Sequence, residues 1–171
     1  RFNACEEITL NTTVIFNSSA TTNACVYSFS DGTIDNSGLC FNVSHTFTNS
    51  GAYDVTLTQI SMNGCIGSTT VSAMIVINPD PVSSFTADRQ FVDMVNPGTR
   101  FENLSTGALT YEWIFGDNSP VDTDFEPIHN FPADAPGDYL VSLISISDFG
   151  CRDTSFMTVT VEESTIFYIP N

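Results

Sequence analysis

Two histidines, two corner aspartates, a run of four carboxylates and five cysteines are the groups in this chain whose types and spacing could do chemistry. His45 and His129 are the natural acid–base candidates, because imidazole changes charge near neutral pH. Each lies two residues before an aromatic, Phe47 or Phe131. Neither has a partner at metal-ligand spacing, and no G-x-S-x-G, H-E-x-x-H or Cys/His signature is present. Asp31 and Asp117 could serve as paired carboxylates. Each also sits at a strand-to-turn corner, where a carboxylate accepts backbone N–H bonds and closes the turn. Asp117, Asp122, Asp124 and Glu126 place four carboxylates within ten residues. They offer hard oxygen ligands suited to Ca²⁺, but without the D-x-D-x-D-G-x₅-E spacing of an EF-hand. Two readings stand: a solvated acidic loop, or a calcium site that stiffens this part of the chain. No other cofactor is indicated.

Four of the cysteines fall in the first half (Cys5, Cys25, Cys40, Cys65) and Cys151 in the second. No C-x-x-C pair occurs, so a zinc ribbon or redox motif is not indicated, and disulfides in an oxidising compartment are the better reading. Four cysteines allow three pairings. The expected set is Cys5–Cys65, joining the chain start to the hairpin before a last strand, and Cys25–Cys40, stapling a strand pair. The second would close a loop of about 15 residues, worth roughly 3 kcal/mol in the chain-entropy model. Cys151 is then left over, as a buried free thiol or with a partner outside the chain. Sequons start at Asn11, Asn17, Asn42 and Asn103 and matter only in a eukaryotic secretory pathway.

The elements that must position these groups follow from composition and period. Of 171 residues, 20 are acidic and 4 are basic; the basic ones are all arginine, and the net charge is −16. Phosphate contacts need clustered cations, so nucleic-acid binding is excluded, and so is docking on an anionic membrane. A 42% hydrophobic and 12% aromatic content is enough for a packed core. The acidity is uneven: the chain through Asp80 has net charge −5 and the remainder −11. No apolar run reaches the roughly 18–20 residues of a membrane span, and no apolar signal region follows Arg1, so no direct membrane insertion is expected. The chain opens without Met and stops on Ile169-Pro170-Asn171, which reads as a piece cut from a longer protein.

The sequence repeats itself. Gly51-Ala52-Tyr53-Asp54-Val55-Thr56-Leu57 returns as Gly137-Asp138-Tyr139-Leu140-Val141-Ser142-Leu143, 86 residues later. Tyr27-Ser28-Phe29-Ser30-Asp31-Gly32 returns as Trp113-Ile114-Phe115-Gly116-Asp117-Asn118, and Gly64-Cys65 as Gly150-Cys151. His45-Thr46-Phe47 matches His129-Asn130-Phe131, and Phe16 matches Phe101. The chain is thus two copies of a unit of about 85 residues. A catalytic residue need not recur in each copy, whereas a structural one should. The expected framework is therefore Tyr27, Phe29, Asp31, His45, Gly51 and Tyr53 in the first copy, and Trp113, Phe115, Gly116, Asp117, His129, Gly137 and Tyr139 in the second.

Within each copy the apolar period is two: Tyr53, Val55 and Leu57 alternate with Asp54, Thr56 and Thr58. Turn signals such as Asp31-Gly32, Asn63-Gly64 and Asn96-Pro97-Gly98 separate the strand-like runs. No amphipathic helix of ten residues is found. About seven short strands per copy read as an all-β fold of two tandem Ig-like β-sandwiches. The expected domains are 1–78 and 83–165, with a stiff Pro-rich linker at 79–82. Two units of roughly 12 Å radius of gyration on such a linker predict an elongated rod.

The run Trp113-Ile114-Phe115-Gly116-Asp117-Asn118, then His129-Asn130-Phe131, then Gly137-Asp138-Tyr139-Leu140-Val141 resembles the polycystic-kidney-disease (PKD) domain. That family's hallmark is W-x-F-G-D-G, followed by H-x-Y/F and G-x-Y-x-V-x-L. The second copy departs at Asn118; the first has Tyr27 for Trp and Ser30 for Gly. The Gly-Cys before the last strand resembles the variant found in Bacteroidetes surface proteins. Ile166-Phe167-Tyr168-Ile169-Pro170-Asn171 resembles the opening of the gliding-motility-associated C-terminal domain, the type B sorting signal of type IX secretion, so 166–171 would begin a following domain or linker.

The resemblance implies a non-enzymatic adhesion or stalk module at the cell surface or outside the cell, linked to gliding motility or attachment. Its partners would be other domains of the same long chain, with surface polysaccharide or protein as further candidates. Two alternatives are an accessory module of a secreted hydrolase, such as a chitinase or protease, and a carbohydrate-binding module. The latter needs two or three aromatics exposed on one face, for which Phe125, Phe131, Phe149 and Tyr168 are candidates.

Overall fold

The computed structural model describes residues 2–5, 12–16 and 24–163. The chain divides into two compact units, Arg1–Asp80 and Pro81–Asn171. All regular structure among the described residues is strand. The hexapeptide Ile166–Asn171, Tyr168 included, and the sequons at Asn11 and Asn17 lie outside the described residues.

The first unit holds seven strands: β1 (Phe2–Cys5), β2 (Thr12–Phe16), β3 (Ala24–Phe29), β4 (Ile34–Gly38), β5 (Val43–Phe47), β6 (Gly51–Ile60) and β7 (Ile66–Asn78). One sheet has the order β1-β7-β6-β3-β4, and β2 pairs with β5 in a second. The period-two run from Tyr53 becomes β6, which pairs antiparallel with both β3 and β7. Alternation along β3 sends Cys25, Tyr27 and Phe29 inward, where they pack with Val43, Phe47, Val55, Ile75 and Ile77.

The second unit repeats the plan with β8 (Phe85–Ala87), β9 (Phe91–Asp93), β10 (Gly98–Asn103), β11 (Thr110–Ile114), β12 (Ile128–Asn130), β13 (Gly137–Ile146) and β14 (Arg152–Glu162). Its sheets run β11-β13-β14-β9 and β12-β10-β8. The pairing of β13 with β14 is an unbroken antiparallel ladder from Gly137↔Val161 to Ile146↔Arg152. Between the sheets lies Trp113, fully buried, with its ring centroid 5.1 Å from Phe85 and 5.5 Å from Phe101. Aromatic pairs at such separations add to plain area burial.

Cys25 and Cys40 are joined, with Cα atoms 5.0 Å apart, inside the usual range for a disulfide. The expected Cys5–Cys65 bridge is not formed: Cys65 is a free, exposed thiol, while Cys5 is disulfide-bonded. The reason is strand direction. β1 lies parallel to the far end of β7, with Cys5 opposite Asn78, whereas Cys65 precedes Ile66 at the near end. That length of strand spans roughly 40 Å at about 3.3 Å per residue. Cys151 is buried and disulfide-bonded, so the expectation of a free thiol there is also corrected. Asn103 is buried at 6% exposure, and its Oδ1 accepts the Ser105 N–H, which closes that sequon to any glycan.

Candidate functional site

The groups singled out by repetition meet at one place in each unit. In the second unit, Asp117 follows β11 and His129 is central in β12, so the two belong to opposite sheets. Asp117 Oδ2 lies 2.8 Å from His129 Nε2. Asp117 Oδ1 accepts the Ser119 N–H at 3.0 Å and the Ser119 hydroxyl at 2.5 Å. In the first unit, Asp31 Oδ2 lies 2.6 Å from His45 Nε2, and Asp31 Oδ1 accepts the Thr33 N–H at 2.9 Å and the Thr33 hydroxyl at 2.6 Å. The hydroxyl partners Thr33 and Ser119 were missed in the sequence. The signal was there: Asp followed two residues later by Thr or Ser, once per copy, is the pattern of an Asx turn.

Both imidazoles are fixed by rings. His129 stacks on Phe115 with centroids 3.8 Å apart and meets Phe131 edge-on at 4.8 Å. His45 stacks on Phe29 at 4.1 Å and meets Phe47 at 4.6 Å. The next ring outward is a tyrosine that bonds back to the chain four residues upstream. Tyr53 donates to the Asn49 carbonyl at 2.7 Å, and Tyr139 to the Ala135 carbonyl at 2.6 Å. This is the tyrosine corner of Ig-like sandwiches. Gly51 and Gly137 open their strands with the same φ of 154°.

The turn between strand and aspartate explains the departures from the family pattern. Gly116 has φ +80°, and a Cβ there would lie 2.7 Å from the Leu140 carbonyl oxygen. In the first unit Ser30 takes that place, and its Oγ accepts the Asp54 N–H at 2.9 Å. Asp54 is the repeat equivalent of Leu140. Asn118 replaces a glycine at φ 66°, a conformation asparagine tolerates. Tyr27 replaces Trp113 without losing its bond: the Tyr27 hydroxyl donates to the Cys40 carbonyl at 3.3 Å, and Trp113 Nε1 donates to the Asp124 carbonyl at 2.9 Å.

The electrostatics follow from this enclosure. Burial pushes the Asp117 carboxyl up, but the Ser119 and His129 hydrogen bonds outweigh it and hold the group below its usual value. Asp31 behaves alike, with burial opposed by Thr33 and His45. A carboxylate flanked by a hydroxyl and an imidazole is not a Ser-His-Asp arrangement, in which the imidazole stands between the other two. Here both carboxylate oxygens are engaged and the Ser119 hydroxyl donates to the carboxylate rather than to the base. What the group does is tie the sheet of β11 to that of β12.

The four carboxylates expected at a calcium site do not converge. No three of them offer ligand atoms within 4.8 Å of one another. Asp117 is held in the sheet tie. Asp122 bridges Trp113 through its backbone, and its Oδ1 accepts the Asp124 N–H at 2.9 Å. Glu126 pairs with Arg100 at 2.5 Å. Local turn bonds and a cross-strand cation thus engage Asp117, one oxygen of Asp122 and one of Glu126. Of the aromatics considered for a sugar platform, Phe131 belongs to the core, while Phe125 and Phe149 are exposed.

Two successive Ig-like β-sandwiches, each closed by an Asp–His tie and a tyrosine corner, define this chain as a tandem of small Ig-like β-sandwich modules. The family model for the PKD domain matches residues 1–76 and again 78–161, so the chain belongs to the PKD domain family. Among solved structures, the PKD1 domain of Vibrio anguillarum Epp is 24% identical, with a TM-score of 0.43 over 51% of this chain and 99% of that one. The PKD1 domain from Vibrio cholerae metalloprotease PrtV is 25% identical, with a TM-score of 0.41 over 48% and 98%. Fibronectin(III)-like modules of Clostridium thermocellum CbhA are 10% identical, with a TM-score of 0.42 over 99% and 93%. No curated protein matches.

Proposed function

We propose that this chain is a non-enzymatic extracellular module of a surface or secreted adhesin, in which tandem PKD domains space or present a binding element. One observation carries the reading. The same aspartate, histidine and hydroxyl recur in both units at the same geometry, committed to joining sheets. A repeated structural tie is what a spacer needs, because each copy must stand on its own fold. Disulfides fit an oxidising compartment. The strongly acidic surface fits a soluble, self-repelling module.

The finer assignment rests on the sequence resemblances. Gly64-Cys65, Gly150-Cys151 and the closing Ile166–Asn171 favour a Bacteroidetes protein exported by type IX secretion and engaged in gliding or attachment. Antibody labelling of intact cells of the source organism tests it. Surface labelling, together with weaker attachment of cells lacking the protein, is expected. Labelling only after permeabilisation would overturn it.

A further inference from the structure

The second unit carries a strand for which the first has no counterpart among the described residues. β8 lies antiparallel to β10, with Ala87 opposite Phe101 and Phe85 opposite Asn103. Phe85 is buried and meets Trp113 edge-on at 5.1 Å. Just ahead of β8, the Ser83 N–H donates to Asp153 Oδ2 at 2.7 Å. The Ser83 hydroxyl donates to the Leu143 carbonyl at 2.9 Å and lies 2.9 Å from Ser155 Oγ. The stretch from Ser83 to Ala87 thus covers the core side of β13 and β14. In the first unit β2 is the equivalent of β10, since His45 faces β2 as His129 faces β10. Among the described strands β2 pairs with β5 alone.

The matching face of the first unit stands open. Leu57, Thr69 and Val71 are the counterparts of Leu143, Ser155 and Met157 at the 86-residue spacing. Thr69 lies opposite Leu57, and Val71 lies opposite the core residue Val55, so both face the core side of the sheet. Yet Thr69 is exposed and Val71 is 49% exposed, whereas Ser155 and Met157 are half-buried. Leu57 is half-buried where Leu143 is fully buried. A core-side face left in water, beside a strand edge with no described partner, is a surface that an added strand covers.

Chain order says which strand. In the second unit the covering stretch leads directly to β9, and β1 is the counterpart of β9. Ala4 lies opposite Ile77 as Val92 lies opposite Val161, and Ile77 and Val161 in turn lie opposite Gly51 and Gly137. Carried upstream, that alignment sets Arg1 on Arg89, and the counterpart of Ser83–Ala87 falls ahead of Arg1.

We propose that the first unit is the acceptor of one extended strand of the β8 kind, an apolar side chain flanked by hydroxyls, docked over Leu57 and Thr69. The polypeptide segment leading into Arg1 supplies it. Backbone bonds to the sheet edge hold such a strand, and its alternating side chains set its register.

The test compares methyl-labelled protein in two forms: the 171-residue chain, and the same chain carrying the residues that precede Arg1 in its gene. In the longer form, NOE cross-peaks should join the added residues to the methyl groups of Leu57 and Thr69. Methyl signals of the first unit should also melt about 5 °C or more above those of the shorter form. Should the natural extension not fold, a chain with its own Pro81–Asp88 sequence copied directly ahead of Arg1 is read in its place. No cross-peaks and no rise in melting overturn the proposal. So do cross-peaks from Leu57 and Thr69 to other residues of the shorter chain, or to a second copy in mixed-label samples. The result is independent of adhesin function: an empty acceptor leaves that reading intact, and labelling confined to permeabilised cells leaves this one intact.

Discussion

Asp117 Oδ2 lies 2.8 Å from His129 Nε2 across the gap between the two sheets of the second unit. The pair is almost closed to water, the Asp117 side chain being 4% exposed. Asp31 and His45 repeat it at 2.6 Å, somewhat more open. A charge-assisted bond of this kind is stronger than a neutral one, and enclosure limits its screening.

The first consequence concerns acid. Asp31 and Asp117 are held below the usual carboxylate range by their hydroxyl and imidazole partners despite burial. For a depressed carboxylate, the added stability is complete above the unfolded value of about 4 and is lost as pH falls through the lower folded value. Urea midpoints should therefore fall steeply below about pH 4, and Asp31→Ala with Asp117→Ala should flatten that fall. An unchanged slope in the double variant would remove these two carboxylates from the acid response.

Gly116 and Ser30 should both cost stability when replaced, by different routes and in different units. Gly116→Ala forces a Cβ to 2.7 Å from the Leu140 carbonyl at positive φ, and about 1–3 kcal/mol should be lost from the second unit. Ser30→Gly removes only the Oγ bond to the Asp54 N–H and should cost the first unit about 1 kcal/mol. Denaturant titration of each variant checks both. A neutral Gly116→Ala would show that the turn relaxes freely.

Trp113 is the chain's one tryptophan and is fully buried in the second unit. Its emission should be blue-shifted and poorly quenched by acrylamide, and should report unfolding of the second unit alone. Trp113→Ala should cost about 3–5 kcal/mol. Emission typical of an exposed indole would contradict the core described.

Much of this was legible in the sequence because it recurs. The period-two runs became β6 and β13, and the repeated motif marked Tyr27, Phe29, Trp113 and Phe115 for the core. What periodicity could not supply was direction and partnership. Nothing local says that β1 runs parallel to the end of β7, and the Cys5–Cys65 expectation failed on that point. The four carboxylates do not converge as their spacing suggested, because spacing counts carboxylates but not what else binds them: Arg100, the partner of Glu126, lies 26 residues away in sequence. The same blindness hid the Asp–His tie. Both aspartates and both histidines were flagged singly, but 12 to 14 residues and a change of sheet separate the partners.

The central claim is that the Asp–His pair is a structural tie between sheets, and a double-mutant cycle in the second unit tests it most directly. Asp117→Ala and His129→Phe are made singly and together, the phenyl ring preserving the stack on Phe115, and stability is read from Trp113 emission in urea. A coupling of about 1–3 kcal/mol is expected between the two positions. Additivity within about 0.3 kcal/mol would contradict the claim.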